Sequence, residues 1–126
     1  LPTQNAARRA NAARYEALLK EAGLLDGRVL PPVLDAGDSV HQYVVRIGGG
    51  RRDATQARLK ERGVGTMVYY PVPFHLQECF KDLGYRKGDF PESERAAAEV
   101  LALPIFPGLL VSEQEEVVRE LKTALS

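Results

Sequence analysis

Tryptophan is absent from these 126 residues, and there are only one cysteine, one methionine and two histidines. A lone Cys79 excludes an internal disulfide framework and fits a reducing compartment, so a cytoplasmic location is expected. Its setting, Gln77-Glu78-Cys79-Phe80, puts an acid beside the thiol. That raises rather than lowers a thiol pKa and argues against a nucleophile. His41 and His75 are the only imidazoles, with no paired cysteines and no H-x-x-x-H spacing, so no metal site is expected. An excess of one charge is missing too: 17 basic and 17 acidic residues cancel. Nothing in that balance asks for nucleic acid or an anionic membrane as partner. No apolar run approaches the roughly 20 residues that span a bilayer, and no secretory leader is recognisable.

Complete catalytic sets are also missing. Ser39, Ser93, Ser112 and Ser126 fall in expected turns, helix starts or the terminus, without a nucleophile-elbow motif. Lys20, Lys60, Lys81, Lys87 and Lys122 lie on expected helices or in a charged loop. None has the apolar surroundings that would depress an amine pKa for Schiff-base chemistry. Gly48-Gly49-Gly50 has no lysine in the phosphate-loop position and no G-x-G-x-x-G pattern, which excludes a nucleotide loop of that kind.

What is present is a chain long enough for one core, with 44% apolar and 27% charged residues. Residues 1–22 read as a helix, capped by Thr3, ended by Gly23 and striped by Tyr15, Leu18, Leu19 and Ala22. Its Ala- and Arg-rich first half has little large apolar surface. Such a helix lies along a larger body, and a chain opening on it looks cut from something longer. Arg8, Arg9 and Arg14 read as solvated or interfacial, with phosphate binding as the alternative. A short strand is expected over 27–33 and a clear one over 40–47, with His41, Tyr43, Val45 and Ile47 on one face. Asp53 and Gln56 read as a capping pair opening a helix that runs from Ala54 to Arg62. A strand follows over 64–69, a short helix over 76–83, and a helix from Pro91 to about Leu101 with acids in its first turn. An extended piece over 103–107 and a last helix opened by a Ser112–Glu115 capping box complete the chain. This strand–helix–strand rhythm is that of an α/β sandwich over 27–126.

The most informative stretch is Thr66-Met67-Val68-Tyr69-Tyr70-Pro71-Val72-Pro73-Phe74-His75. Its prolines lack amide donors, so a strand must stop there while the backbone stays extended. Two tyrosines and a histidine then leave a stiff base together, placed to meet a ligand. Ordinary core-and-loop packing is the alternative, because Tyr and His are intermediate in burial preference.

Taken in order, three arrays carry a family likeness: His41-Gln42-Tyr43-Val44-Val45-Arg46, Leu59-Lys60-Glu61-Arg62-Gly63-Val64-Gly65-Thr66 and Tyr70-Pro71-Val72-Pro73-Phe74-His75-Leu76-Gln77. With Leu83-Gly84-Tyr85, Gly88-Asp89-Phe90-Pro91, Glu94 and Leu103-Pro104-Ile105-Phe106-Pro107, they resemble the C-terminal part of the DegT/DnrJ/StrS family. These are aminotransferases that depend on pyridoxal 5'-phosphate (PLP) and act on nucleotide-linked keto-sugars. The resemblance implies the small C-terminal domain of an aspartate-aminotransferase-like fold: a short, mostly antiparallel sheet covered by helices, with residues 1–23 as the connecting helix. It implies a homodimeric parent, a Schiff-base lysine upstream of these residues, and glutamate as the usual amino donor. Tyr69, Tyr70 and His75 would then line the substrate side of the cleft, with Tyr69 standing where the family often has histidine. His41 matches a recurrent family position, where a structural role is the alternative. Two other readings stay open: a PLP-dependent sugar dehydratase of the same family, and a free-standing, non-catalytic α/β binding module. If the domain is cut from a larger protein, an exposed apolar patch is expected around Tyr69, Phe74 and the first helix.

Overall fold

The computed structural model describes residues 1–126. Helix α1 (Pro2–Glu21) begins with Pro2, whose fixed φ suits the first helical position. That start leaves Thr3 inside the first turn, so it is not the cap. The helix closes where Gly23 takes φ +72°, a left-handed conformation that glycine adopts without a Cβ penalty. Its buried residues, Asn11, Ala12, Tyr15 and Leu19, all lie from the middle of the helix onward.

A three-stranded antiparallel sheet follows in the order β1 (Val29–Leu30), β2 (Tyr43–Ile47), β3 (Val100–Leu103). The strand expected over 27–33 shrinks to two residues because Pro31 and Pro32 cannot donate to a ladder. Along β2, Tyr43, Val45 and Ile47 point into the core, as the alternation predicts. His41 lies outside the strand and is exposed, so it does not share that face. Tyr43 pairs with Leu103, and Arg46 with Val100. Beside that last pair, Arg46 Nη2 meets Glu99 Oε2 at 2.6 Å.

Helix α2 (Arg52–Glu61) starts at Arg52, with Arg51 as its N-cap residue. Asp53 therefore sits within the first turn, where its charge complements the helix N-terminus, and pairs with Arg52 Nε at 2.6 Å. Gln56 reaches forward to the Thr66 carbonyl, at 3.5 Å, and not back to a cap. The strand expected over 64–69 reduces to one antiparallel bridge, Met67 to Ala102. Two causes are visible: the Val64 N–H is spent closing α2 on the Leu59 carbonyl, and the prolines at 71 and 73 have no N–H. The helix expected over 76–83 is two 3₁₀ turns, Phe74–Leu76 and Glu78–Leu83, with Gln77 extended between them.

Helix α3 (Pro91–Glu99) ends earlier than expected because Val100–Leu103 leaves it to pair with β2. A short apolar run of this kind fits a buried strand and a helix equally well by periodicity. Helix α4 (Val111–Ala124) begins just before the expected box: Glu113 Oε2 accepts from the Leu110 N–H at 2.8 Å. Its stripe Val117, Val118, Leu121 and Leu125 is buried. The core draws side chains from α1, α2, α4 and all three strands, including Leu19, Val45, Leu59, Leu101 and Leu121. Between residues 65 and 96 only His75 is buried. No helix is long and apolar enough to cross a membrane.

Candidate functional site

The segment after Gly65 is tied to the sheet by its single bridge. The Met67 N–H donates to the Ala102 carbonyl at 3.2 Å, and the Ala102 N–H donates back at 2.7 Å. From that anchor the chain turns outward, through a cis Tyr69-Tyr70 peptide, and bends at Pro71 and Val72 before Pro73 takes an extended conformation. The tyrosine rings meet edge to face, with centroids 6.0 Å apart. Tyr69 is 37% exposed, Tyr70 65% and Phe74 69%. With Val72 and Phe74 they form one wall of a depression of about 210 Å³ whose opposite wall is α3, presenting Ser93, Ala96 and Ala97. Gln77 lines it too, its amide donating to the Val72 carbonyl at 3.2 Å. An aromatic and aliphatic wall with a few hydroxyl and amide groups suits a ligand having an apolar face and hydrogen-bonding edges, as a sugar ring has.

His75 is placed differently. Its side chain is only 7% exposed and lines a neighbouring depression with Phe80, Tyr85 and Phe90, on the far side of Phe74. The Phe90 ring meets the imidazole edge-on at 4.9 Å and the Tyr85 ring at 5.0 Å. His75 Nε2 is buried without a hydrogen-bond partner, 3.7 Å from Glu94 Oε2. Both Glu94 oxygens accept from the Gly88 N–H, at 2.8 and 2.9 Å. The structure thus brings Tyr69 and Tyr70 to one surface and sets His75 behind it.

In the sequence Gly88 and Glu94 are separate pieces of the family likeness, and nothing in it shows that they touch. Loop-to-helix contacts of this kind have no periodic signature; only an acid six residues after a glycine turn pointed to it. Ser93 and Gln77 were missed for the same reason.

The groups needed for covalent chemistry are not among these residues. All five lysines are exposed, and none lines the depressions at Tyr69, Tyr70 or His75. A PLP-type aldehyde therefore finds no desolvated amine here, and the cofactor does not fit this part of the protein. No group of three His, Cys, Asp or Glu side chains is placed to hold a metal ion.

Such a surface offers contacts and no reacting group. The chain belongs to the DegT/DnrJ/EryC1/StrS aminotransferase family, whose model matches residues 1–122. It is 49% identical over 115 residues to a pleiotropic regulatory protein of Geobacillus stearothermophilus, a match covering 90% of this chain and 30% of that one. Over 125 residues it is 38% identical to the dTDP-3-amino-3,4,6-trideoxy-alpha-D-glucose transaminase of Micromonospora megalomicea subsp. nigra, covering 95% of this chain and 33% of that protein. The fold superposes on S. venezuelae DesV, solved with a ketimine intermediate, with a TM-score of 0.85 and 31% identity, over 99% of this chain and 33% of DesV. The chain thus spans about a third of the length of these relatives.

Proposed function

We propose that this chain is the C-terminal domain of a PLP-dependent aminotransferase that passes an amino group from glutamate to a nucleotide-linked keto-sugar. In that reading residues 1–23 connect it to a cofactor-binding large domain carrying the Schiff-base lysine, and the whole protein is a cytoplasmic homodimer. The cofactor supplies the amine carrier and electron sink, and this domain supplies contact and orientation. Tyr69 and Tyr70 pack on and hydrogen-bond the sugar, while His75, gripped by Phe90 beside Glu94, holds the backbone that presents them. One observation carries the reading: a stiff aromatic wall, exposed yet anchored to the sheet, in a member of this aminotransferase family. The family resemblance supports the cofactor and the donor.

The test uses the full-length protein with glutamate and a dTDP- or UDP-linked 3-keto-sugar. Donor turnover is read alone from the cofactor absorbance, then complete transfer is measured. Tyr70→Phe is expected to raise KM for the sugar nucleotide about tenfold, the worth of a hydrogen bond of roughly 1–1.5 kcal/mol, with donor turnover unchanged. Equal loss in both halves, or no loss in either, would remove the tyrosines from the substrate side.

A further inference from the structure

Tyr69 has a second side. Opposite the Tyr70 depression it walls another, of about 290 Å³, shared with Arg8, His41 and Gln42 and floored by the Met67–Ala102 bridge. No acidic residue lines it. Arg8 Nη1 donates to the His41 carbonyl at 3.0 Å and to the Ile105 carbonyl at 3.4 Å. Both acceptors are neutral. Arg28, Arg46, Arg52, Arg62 and Arg95 each pair with a carboxylate, whereas Arg8 pairs with none.

The neighbouring arginines differ. Arg14 is used up inside the fold, donating to Asn11 Oδ1 at 3.1 Å and Gln114 Oε1 at 2.9 Å. Arg9 reaches the Ala36 carbonyl at 3.1 Å and lines none of this depression.

We infer that Arg8, with Gln42, His41 and the Tyr69 hydroxyl, forms an anion subsite that takes the diphosphate of the nucleotide-linked substrate. The carbonyl bonds occupy one guanidinium nitrogen and fix the plane of the group. Nε and Nη2 are left without protein acceptors, and that edge matches two phosphate oxygens. An uncompensated cation held in a fixed orientation beside neutral donors attracts an anion without first breaking an ion pair. Tyr69 then separates two parts of one ligand, with the sugar against Tyr70 and the diphosphate against Arg8. The ligand assignment rests on the function proposed above; the anion site rests on the Arg8 geometry alone.

The experiment uses full-length protein, with inorganic pyrophosphate as the probe in calorimetric titrations and the nucleotide keto-sugar in kinetics. Arg8→Gln is expected to weaken pyrophosphate binding 10- to 100-fold, as loss of a charge-assisted contact of about 1.5–3 kcal/mol implies. Because Arg8 also ties α1 to the loops at His41 and Ile105, a second variant leaves those ties intact. Gln42→Glu places a carboxylate in the depression and is expected to weaken pyrophosphate about tenfold, with the thermal midpoint of the parent. KM for the sugar nucleotide should rise with both. Unchanged pyrophosphate binding in Gln42→Glu, with loss in Arg8→Gln only alongside a lowered thermal midpoint, would overturn the site. Arg8-dependent pyrophosphate binding in a protein that aminates no nucleotide sugar would keep the anion site and overturn the substrate reading. Normal sugar amination by both variants would remove the subsite and leave that reading in place.

Discussion

His75 Nε2 and Glu94 Oε2 face each other at 3.7 Å in a pocket closed by Phe90, too far apart for a hydrogen bond. Glu94 is held on its other side by the Gly88 amide. The carboxylate thus joins the 84–90 loop to α3, and the imidazole fills space more than it bonds. Glu94→Ala should speed hydrogen exchange at the Gly88 amide about tenfold or more, the value of one bond to a charged acceptor. Glu94→Gln, which keeps an acceptor, should show a smaller change. His75→Phe removes the unpaired nitrogen, keeps the edge contact, and should leave stability within about 1 kcal/mol of the parent. A loss of several kcal/mol in His75→Phe would mean that Nε2 is bonded after all.

The stacked pair Tyr15 and Tyr43, with centroids 5.0 Å apart, makes an internal contrast. Tyr15 donates to the Pro104 carbonyl at 2.6 Å, whereas the Tyr43 hydroxyl is buried without a partner. Tyr15→Phe should therefore cost about 1–2 kcal/mol, and Tyr43→Phe should be neutral or stabilising by up to about 1 kcal/mol. Urea titrations of both variants check this. The reverse order would show that the Tyr43 hydroxyl is satisfied.

Burial, chiefly, holds both phenols far above their ordinary range, assisted at Tyr15 by Tyr43 and at Tyr43 by Glu16. The folded protein keeps these two protons where the unfolded chain releases them, near pH 10. Above that pH the unfolded state binds fewer protons, so stability must fall as pH rises, with no contribution from these groups at neutrality. The alkaline limb of a thermal-midpoint-against-pH curve should flatten in the Tyr15→Phe/Tyr43→Phe double variant.

Arg52 is buried, and its Nη1 donates to the Ala97 carbonyl at 3.0 Å and the Val100 carbonyl at 2.9 Å, where α3 gives way to β3. Arg52→Met should cost about 2–3 kcal/mol, because two carbonyls lose a charged donor. Its other partner, Asp53, has an exposed side chain, so Asp53→Asn should change stability by no more than about 0.5 kcal/mol. Equal losses in the two variants would contradict this division.

Tyr70, Val72, Phe74, Leu83, Tyr85 and Phe90 are all exposed on the 69–90 segment. The patch expected around Tyr69 and Phe74 is there, and it extends along the chain to Phe90. The expected share of the first helix is missing: residues 2–21 carry no large exposed apolar side chain, and exposed Leu1 precedes the helix. Contiguous apolar surface of this kind binds hydrophobic dyes. The 126-residue chain expressed alone should enhance anilinonaphthalene sulfonate fluorescence. A Val72→Ser/Phe74→Ser variant should lower that signal without moving the thermal midpoint.

Elements whose sequence pattern had one solution were legible. The Tyr15–Leu19 stripe, the alternation Tyr43-Val45-Ile47 and the Val117–Leu125 stripe each require a single period, and the structure follows them. Val100–Leu103 was not legible as a strand because its partner lies more than fifty residues earlier in β2. Helices α1, α2 and α4 are capped two residues earlier than expected, since Pro2, Arg52 and Val111 open them without a side-chain cap from Thr3, Asp53 or Ser112. The exposure of Tyr69 and Tyr70 together, beyond the end of the sheet, could be read from the Pro-x-Pro punctuation. The His75–Glu94–Gly88 contact and the Arg8 pocket join distant stretches, and no local pattern encodes them.

The segment from Met67 to Phe90 meets the core through one backbone bridge and half-buried Val68, while the imidazole of His75 is buried against the segment's own Phe90 and beside Glu94 of α3. Almost all of its side chains can therefore change without opening a cavity beneath them. A scaffold built this way separates folding from the make-up of its surface. Exchanging this stretch between relatives, with Met67, Val68, His75 and Glu94 kept, would change what the domain presents while its helices and sheet stay as they are.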